Sequence, residues 1–157
     1  WRKERRMLQL TNEHVDSIIK RISFLKTEAG DLPKFRDMSQ FDYMENRDQR
    51  RSLERLVENV VNIMVDICKI LLSAADVPIP DTYKTIVLQA GAQGIIPRAL
   101  AEAVSEWSGL RNALAHQYLD IRWDSLSRFI NSGPTVSSQF VDAIEKILPT
   151  ASSPGAS

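Results

Sequence analysis

Ten apolar side chains between Leu53 and Leu72 commit this chain to a long helix. Leu53, Leu56, Val57, Val60, Val61, Met64, Ile67, Cys68, Leu71 and Leu72 recur at three- and four-residue steps. That is the spacing at which 3.6 residues per turn gather side chains into one stripe. The opposite face carries Arg50, Arg51, Glu54, Arg55, Glu58, Asn62, Asp66 and Lys69, and pairing between charges one turn apart on a solvated face accounts for Glu54 and Glu58. Alternating apolar and polar runs rich in β-branched residues, the mark of a half-buried strand, are missing from the rest of the chain.

The same period organises the flanks. Val15, Ile18, Ile19, Ile22 and Leu25 follow Thr11 and Asn12, both suitable N-caps, and Gly30-Asp31-Leu32-Pro33 stops that helix. Phe35 to Tyr43 reads as a mixed connector with a helical turn. After Pro78-Ile79-Pro80 a short helix fits Asp81 to Ala90, with Asp81 as its cap, and Gly91-Ala92-Gln93-Gly94 breaks the chain. Pro97 suits the first turn of the next helix, whose Leu100, Ala103, Val104, Trp107, Leu110 and Leu114 face inward. Gly133-Pro134 is expected to cut a helix around Trp123 and Ile130, and Ser137 or Ser138 to cap a last one carrying Phe140, Val141, Ile144, Ile147 and Leu148. The expected fold is all-α, an up-down helical bundle of four to six helices forming one domain over 11–148. Residues 1–10 form a basic N-terminal arm, and 149–157 a small, polar tail read as disordered.

Composition narrows the chemistry. The 157 residues hold 20 Lys and Arg against 20 Asp and Glu, which argues against a surface that grips nucleic acid everywhere but leaves room for a local basic cleft. A single cysteine, Cys68, excludes an intrachain disulfide and a cysteine-based zinc site. It lies on the apolar stripe, away from the face that carries Lys69, so it reads as a buried structural thiol. The two histidines are His14, beside Glu13 and Asp16 on a charged surface, and His116. Histidine chemistry therefore needs one residue, or the same residue from two chains. No apolar stretch is long enough to cross a bilayer, and the first residues lack a signal-peptide core, so the cytoplasm is the expected location and no membrane partner is expected. Opening on Trp1 rather than Met, the sequence reads as one that does not begin at its native start. The glycines at 91 and 94 precede a helix, but no Walker lysine accompanies them and no strand leads into them.

The informative stretch is Arg111-Asn112-Ala113-Leu114-Ala115-His116-Gln117-Tyr118. At about 100° per residue, Arg111 and Tyr118 would share a helix face to within about 20°, whereas His116 lies roughly 140° from Arg111. One helix does not converge all three unless it bends or a second copy supplies the complement. In purely structural terms, Arg111 would bridge to an acid, His116 would cap a helix end and Tyr118 would pack at the rim.

Arg, a polar residue, three more, His, any residue and Tyr is the order of the HEPN nuclease signature, and RNALAHQY matches it. With LERLVENVVNIMVDICKIL, VPIPDTYKTIVLQAGAQGII and RNALAHQYLDI in that order, the chain resembles HepT, the toxin family of the MntA/HepT (HEPN–minimal nucleotidyltransferase) toxin–antitoxin pairs, from Thr11 to Leu148. The resemblance implies a metal-independent endoribonuclease without cofactor, acting on RNA, with transfer RNA a candidate target. The 2′-hydroxyl attacks the adjacent phosphorus to leave a 2′,3′-cyclic phosphate and a 5′-hydroxyl. It further implies His116 as general base or acid, Arg111 as the group that holds the phosphate and Asn112 as an orienting neighbour. The family works as a homodimer whose motif helices meet at a two-fold axis. Trp107 and Leu110 are the expected interface residues. Tyr118 is the implied site at which a separate MntA-type nucleotidyltransferase antitoxin adds AMP. A reading from another class is a non-catalytic helical partner of a nucleotidyltransferase that binds a nucleotide or presents a substrate.

Overall fold

The structure, a computed structural model, describes residues 8–116 and 118–149. The N-terminal arm up to residue 7 and the tail from 150 onward lie outside the described residues. Asn46 accepts a hydrogen bond from the Gln49 N–H and so starts the long helix six residues before its apolar stripe begins. That helix, α3 (Arg47–Ala74), buries the whole stripe and packs against every other helix. α1 (Asn12–Gly30) lies along one side of it, behind a capping box in which Thr11 accepts from the His14 N–H and His14 Nδ1 accepts from the Thr11 N–H. His14 thus closes a helix end, a local role that the charges of Glu13 and Asp16 did not reveal. Leu8 and Leu10 pack against the core ahead of it.

The expected connector resolves into a short 3-10 turn (Leu32–Phe35) and α2 (Gln40–Glu45), capped by Ser39. α2 exists to place Tyr43. Its ring is fully buried against Trp123, centroids 5.3 Å apart, and its hydroxyl donates to Glu54 Oε1 at 2.5 Å. Arg122 reaches the same oxygen at 3.2 Å, while Arg50 donates to the Tyr43 and Met44 carbonyls at 3.0 and 2.9 Å. Glu54 is therefore not a solvated-face residue pairing along its own helix. It is largely buried and ties α3 to α2 and to the last helix. A hydrogen bond to a charged partner in such a setting contributes about 1.5–3 kcal/mol.

α4 (Tyr83–Ala92) is capped by Thr82 rather than Asp81, through reciprocal hydrogen bonds with Thr85. Gly91 does not break it. The break falls at Gly94, whose φ of 73° closes a Schellman turn: the Ile95 and Gly94 N–H groups bond to the Ala90 and Gly91 carbonyls at 3.0 and 3.1 Å. Gly91 serves packing instead. A Cβ there would sit 2.6 Å from the Ala101 Cβ on α5 (Arg98–His116). Gly91→Ala must push α4 from α5 and is expected to lower stability by about 1–3 kcal/mol, read as a shift of the urea midpoint with an unchanged slope.

α6 (Leu119–Ile147) is one helix, not two. Pro134 removes a backbone donor, which alone disfavours a helix interior by about 3 kcal/mol. Burial of Leu126, Phe129, Ile130, Gly133, Ser137, Phe140, Val141 and Ile144 on one stripe outweighs it. Gly133 helps, because it leaves room for the Leu32 side chain, which a Cβ would approach to 2.9 Å. The described residues thus form six α-helices and one 3-10 turn, an all-α fold with α3 at its centre.

Two buried acids register this core. Burial pushes the Cys68 thiol up to about 12 from an ordinary value of 9.0. Burial first, and then Glu54, raises the Tyr43 phenol well above 10.0. Both groups keep their protons in the native state at a pH where the unfolded chain releases them, so the unfolded state binds fewer protons and stability falls as pH rises. We expect the denaturant midpoint to decline from pH 9.0 toward 12, and Cys68 to resist alkylation in the native protein near neutrality.

Candidate active site

α5 runs unbroken to His116, so the three polar residues of its last two turns are splayed by helix geometry. Leu110, Ala113 and Leu114 are buried against the bundle, while Arg111, Asn112 and His116 are exposed. Arg111 turns toward α4. Its guanidinium lies over the Tyr83 ring, Cζ 5.0 Å from the centroid, and donates to the Tyr83 hydroxyl. Lys69 of α3 brings a second cation to 5.5 Å from the same ring. Tyr83, Arg111 and Asn112, with Thr82 and Lys84 at the N-terminal end of α4, line an open groove of about 480 Å³. Among the described residues no carboxylate pairs with Arg111, so the purely structural expectation of a bridge to an acid is not met.

His116 is the last residue of α5 and makes no capping hydrogen bond among the described residues. Five residues of continuous helix leave it roughly 140° around the axis from Arg111, so one chain does not converge the two side chains by helix geometry. Tyr118 does not share a face with Arg111, because α5 has ended. With φ −67° and ψ 156° it is the extended N-cap of α6, its carbonyl accepting from the Arg122 N–H at 3.0 Å. Its side chain makes no capping bond and is 83% exposed, hence not packed at a rim among the described residues.

Trp107 and Leu110 are also placed differently from expectation. They are only 7% and 6% exposed within a single chain, Trp107 meeting Phe129 edge-on with centroids 4.5 Å apart. α6 covers them, and they form the floor of a second groove of about 510 Å³. Between the two grooves runs an exposed ridge of α5 made of Glu106, Gly109, Asn112 and His116. Among the described residues no group of His, Cys, Asp or Glu gathers as ligands for a metal ion, and no helix is long and apolar enough to cross a membrane.

A model of the family described as "Ribonuclease HepT-like" matches residues 13–144. The chain belongs to the HepT-like ribonuclease family. A curated relative, the "tRNA nuclease HepT" of Aphanizomenon flos-aquae (strain 2012/KM1/D3), is 30% identical over 112 residues, which span 71% of this chain and 76% of the relative. Among solved structures, a mutant MntA–HepT toxin–antitoxin complex is similar with a TM-score of 0.74 at 19% identity. A tri-AMPylated Shewanella oneidensis HEPN toxin in complex with an MNT antitoxin follows at 0.73 and 18%. Each similarity covers 83% of this chain and 98% of the solved one, and at such identities shows a shared helical fold. Sequence reasoning about this HepT-like ribonuclease overlooked Tyr83 as a partner of Arg111. The signal lay in the Asp-Thr-Tyr stretch, which served only as a mark of resemblance.

Proposed function

We propose that this ribonuclease is the toxin of a toxin–antitoxin pair and cleaves RNA, with transfer RNA the first target to test, by internal transesterification at a site built from Arg111 and His116. The observation that carries the reading is the presentation of Arg111, Asn112, His116 and Tyr118 as exposed side chains at the end of α5 and start of α6 in a chain of this family. In the reaction a base takes the 2′-hydroxyl proton, the 2′-oxygen bonds to phosphorus, and the bond from phosphorus to the 5′-oxygen breaks as an acid protonates that oxygen. A histidine serves either role near neutral pH. Arg111, with which no carboxylate pairs among the described residues, holds the phosphate and the charge that develops on it. Asn112 beside it orients phosphate or guanidinium.

Because one helix splays Arg111 and His116, a homodimer built on the exposed α5 ridge is the arrangement that completes the site, the arginine of one copy facing the histidine of the other. Two Arg111 side chains at such a two-fold also concentrate positive charge in a protein of zero net charge. Tyr118 is the acceptor of AMP from a separate nucleotidyltransferase: its hydroxyl oxygen bonds to the α-phosphorus of ATP, pyrophosphate leaves, and the phenolic proton goes to a base. The adduct places a phosphodiester anion beside the cleft, where it repels the RNA backbone. That a similar fold is AMPylated within an antitoxin complex supports this assignment.

The test is cleavage of labelled RNA by the purified protein in excess EDTA, with the 3′ ends analysed. Cyclic phosphate termini are expected. Tight nucleotide binding with no cleavage would overturn the reading in favour of a non-catalytic partner.

A further inference from the structure

We infer that Tyr83 is a positioning residue for Arg111, holding the guanidinium at the groove so that it meets the RNA phosphate already oriented. The inference rests on the ribonuclease reading above. An exposed arginine samples many conformers, and ordering it at the moment of binding lowers affinity and rate. Tyr83 restricts it in two ways at once: the ring face lies under the guanidinium at 5.0 Å from Cζ, and the hydroxyl accepts one of its N–H groups. Both partners are neutral. A carboxylate would orient the arginine equally well but would cancel the charge the phosphate needs; a tyrosine orients it and leaves that charge whole.

The tyrosine is itself held. It is the first residue of α4, directly after the Thr82 cap, half-buried and packed against the core. α4 is locked to α5 at its other end by the close approach of Gly91 to Ala101. Lys69 presents a second cation to the ring, 5.5 Å from its centroid. Arg111 and Lys69 thus place two cations on one aromatic side chain, and Lys84 and Glu106 line the groove beside it. The groove is open and large enough to admit a nucleotide beside Arg111.

The experiment is a double-mutant cycle on the full-length protein, comparing Tyr83→Phe, Tyr83→Leu, Arg111→Ala and Tyr83→Leu/Arg111→Ala. Cleavage kinetics are measured on substrate RNA, and dissociation constants on the same RNA with 2′-deoxy nucleotides, which cannot be cut. Tyr83→Phe, which keeps the ring and its packing, is expected to lower kcat/KM about tenfold, the loss shared between binding and turnover as for Arg111 itself. Tyr83→Leu is expected to lower it about a hundredfold. The double variant should bind RNA no more weakly than Arg111→Ala alone, because Tyr83 acts through Arg111. A side chain that merely supports the fold would weaken binding further in the double variant. That additive outcome, or Tyr83 variants within about twofold of the parent, overturns the inference and leaves the ribonuclease reading standing. Full cleavage by both Arg111→Ala and His116→Ala overturns the reading itself.

Discussion

Replacing His116 with alanine should abolish RNA cleavage, a loss of about 10²–10⁴ from one proton-transfer group, while the thermal midpoint stays where it was. The two halves of that expectation have separate structural grounds. His116 is exposed at the last position of α5, and no hydrogen bond of its side chain is seen among the described residues, so truncation leaves no buried void and orphans no partner among them. Any loss of activity then reports on chemistry. Arg111→Ala should behave alike, with the loss shared between binding and turnover because the guanidinium meets the phosphate throughout. Toxicity in growing cells should vanish with cleavage. The splayed placement of the two side chains adds a sharper expectation. If the site takes Arg111 from one copy and His116 from the other, mixing the two inactive variants and allowing subunit exchange restores one intact site in each mixed dimer. Restored cleavage after mixing supports the composite site, and persistent inactivity shows that each chain supplies both residues to its own site.

Tyr118→Phe should remove AMP incorporation completely while leaving cleavage near the parental rate. The substitution deletes one oxygen from a side chain 83% exposed that makes no capping hydrogen bond, so neither the start of α6 nor the core has reason to respond. Intact-mass measurement after incubation with the partner nucleotidyltransferase and ATP reads the outcome directly: the parent gains mass in AMP increments and the variant does not. In cells, the variant should remain toxic despite the transferase. An unchanged mass ladder would place the acceptor on another side chain. The proposed adduct on Tyr118 would stand at the junction of α5 and α6, two residues after His116 in sequence, where a phosphodiester would carry negative charge into the approach of the RNA.

Much of the fold was legible in the chain. The stripe from Leu53 to Leu72 specifies α3 because a 3.6-residue period can bury those side chains only as a helix. Thr11 and Gly30 bound α1 for local reasons of capping and backbone conformation. Misreadings arose where packing opposed a local signal. Pro134 marks a helix end by its missing donor, yet α6 continues because the bundle buries side chains on both sides of it. Gly91 reads as a breaker, yet it sits in α4 to let two helices touch. Glu54 looks solvated by its charged neighbours in sequence, yet its partners, Tyr43 and Arg122, are 11 and 68 residues away.

For the proposed site, local order in the sequence was the signal that grouped the side chains. Arg111, Asn112, His116 and Tyr118 fall within eight residues, and the family follows from the helical elements around them. Their mutual geometry was another matter. Where α5 ends, whether Trp107 and Leu110 are covered, and what holds Arg111 all depend on contacts between segments far apart in the chain. α6 folding back over α5 buries the two residues that an unpacked helix would have offered to a partner. α4 lying against α5 sets Tyr83 beneath Arg111 across a gap of 28 residues. Periodicity and capping act over one or two turns and can be read from order alone. The direction of a charged side chain at a groove is decided by whichever helix packs beside it, and only the tertiary structure brings that helix there.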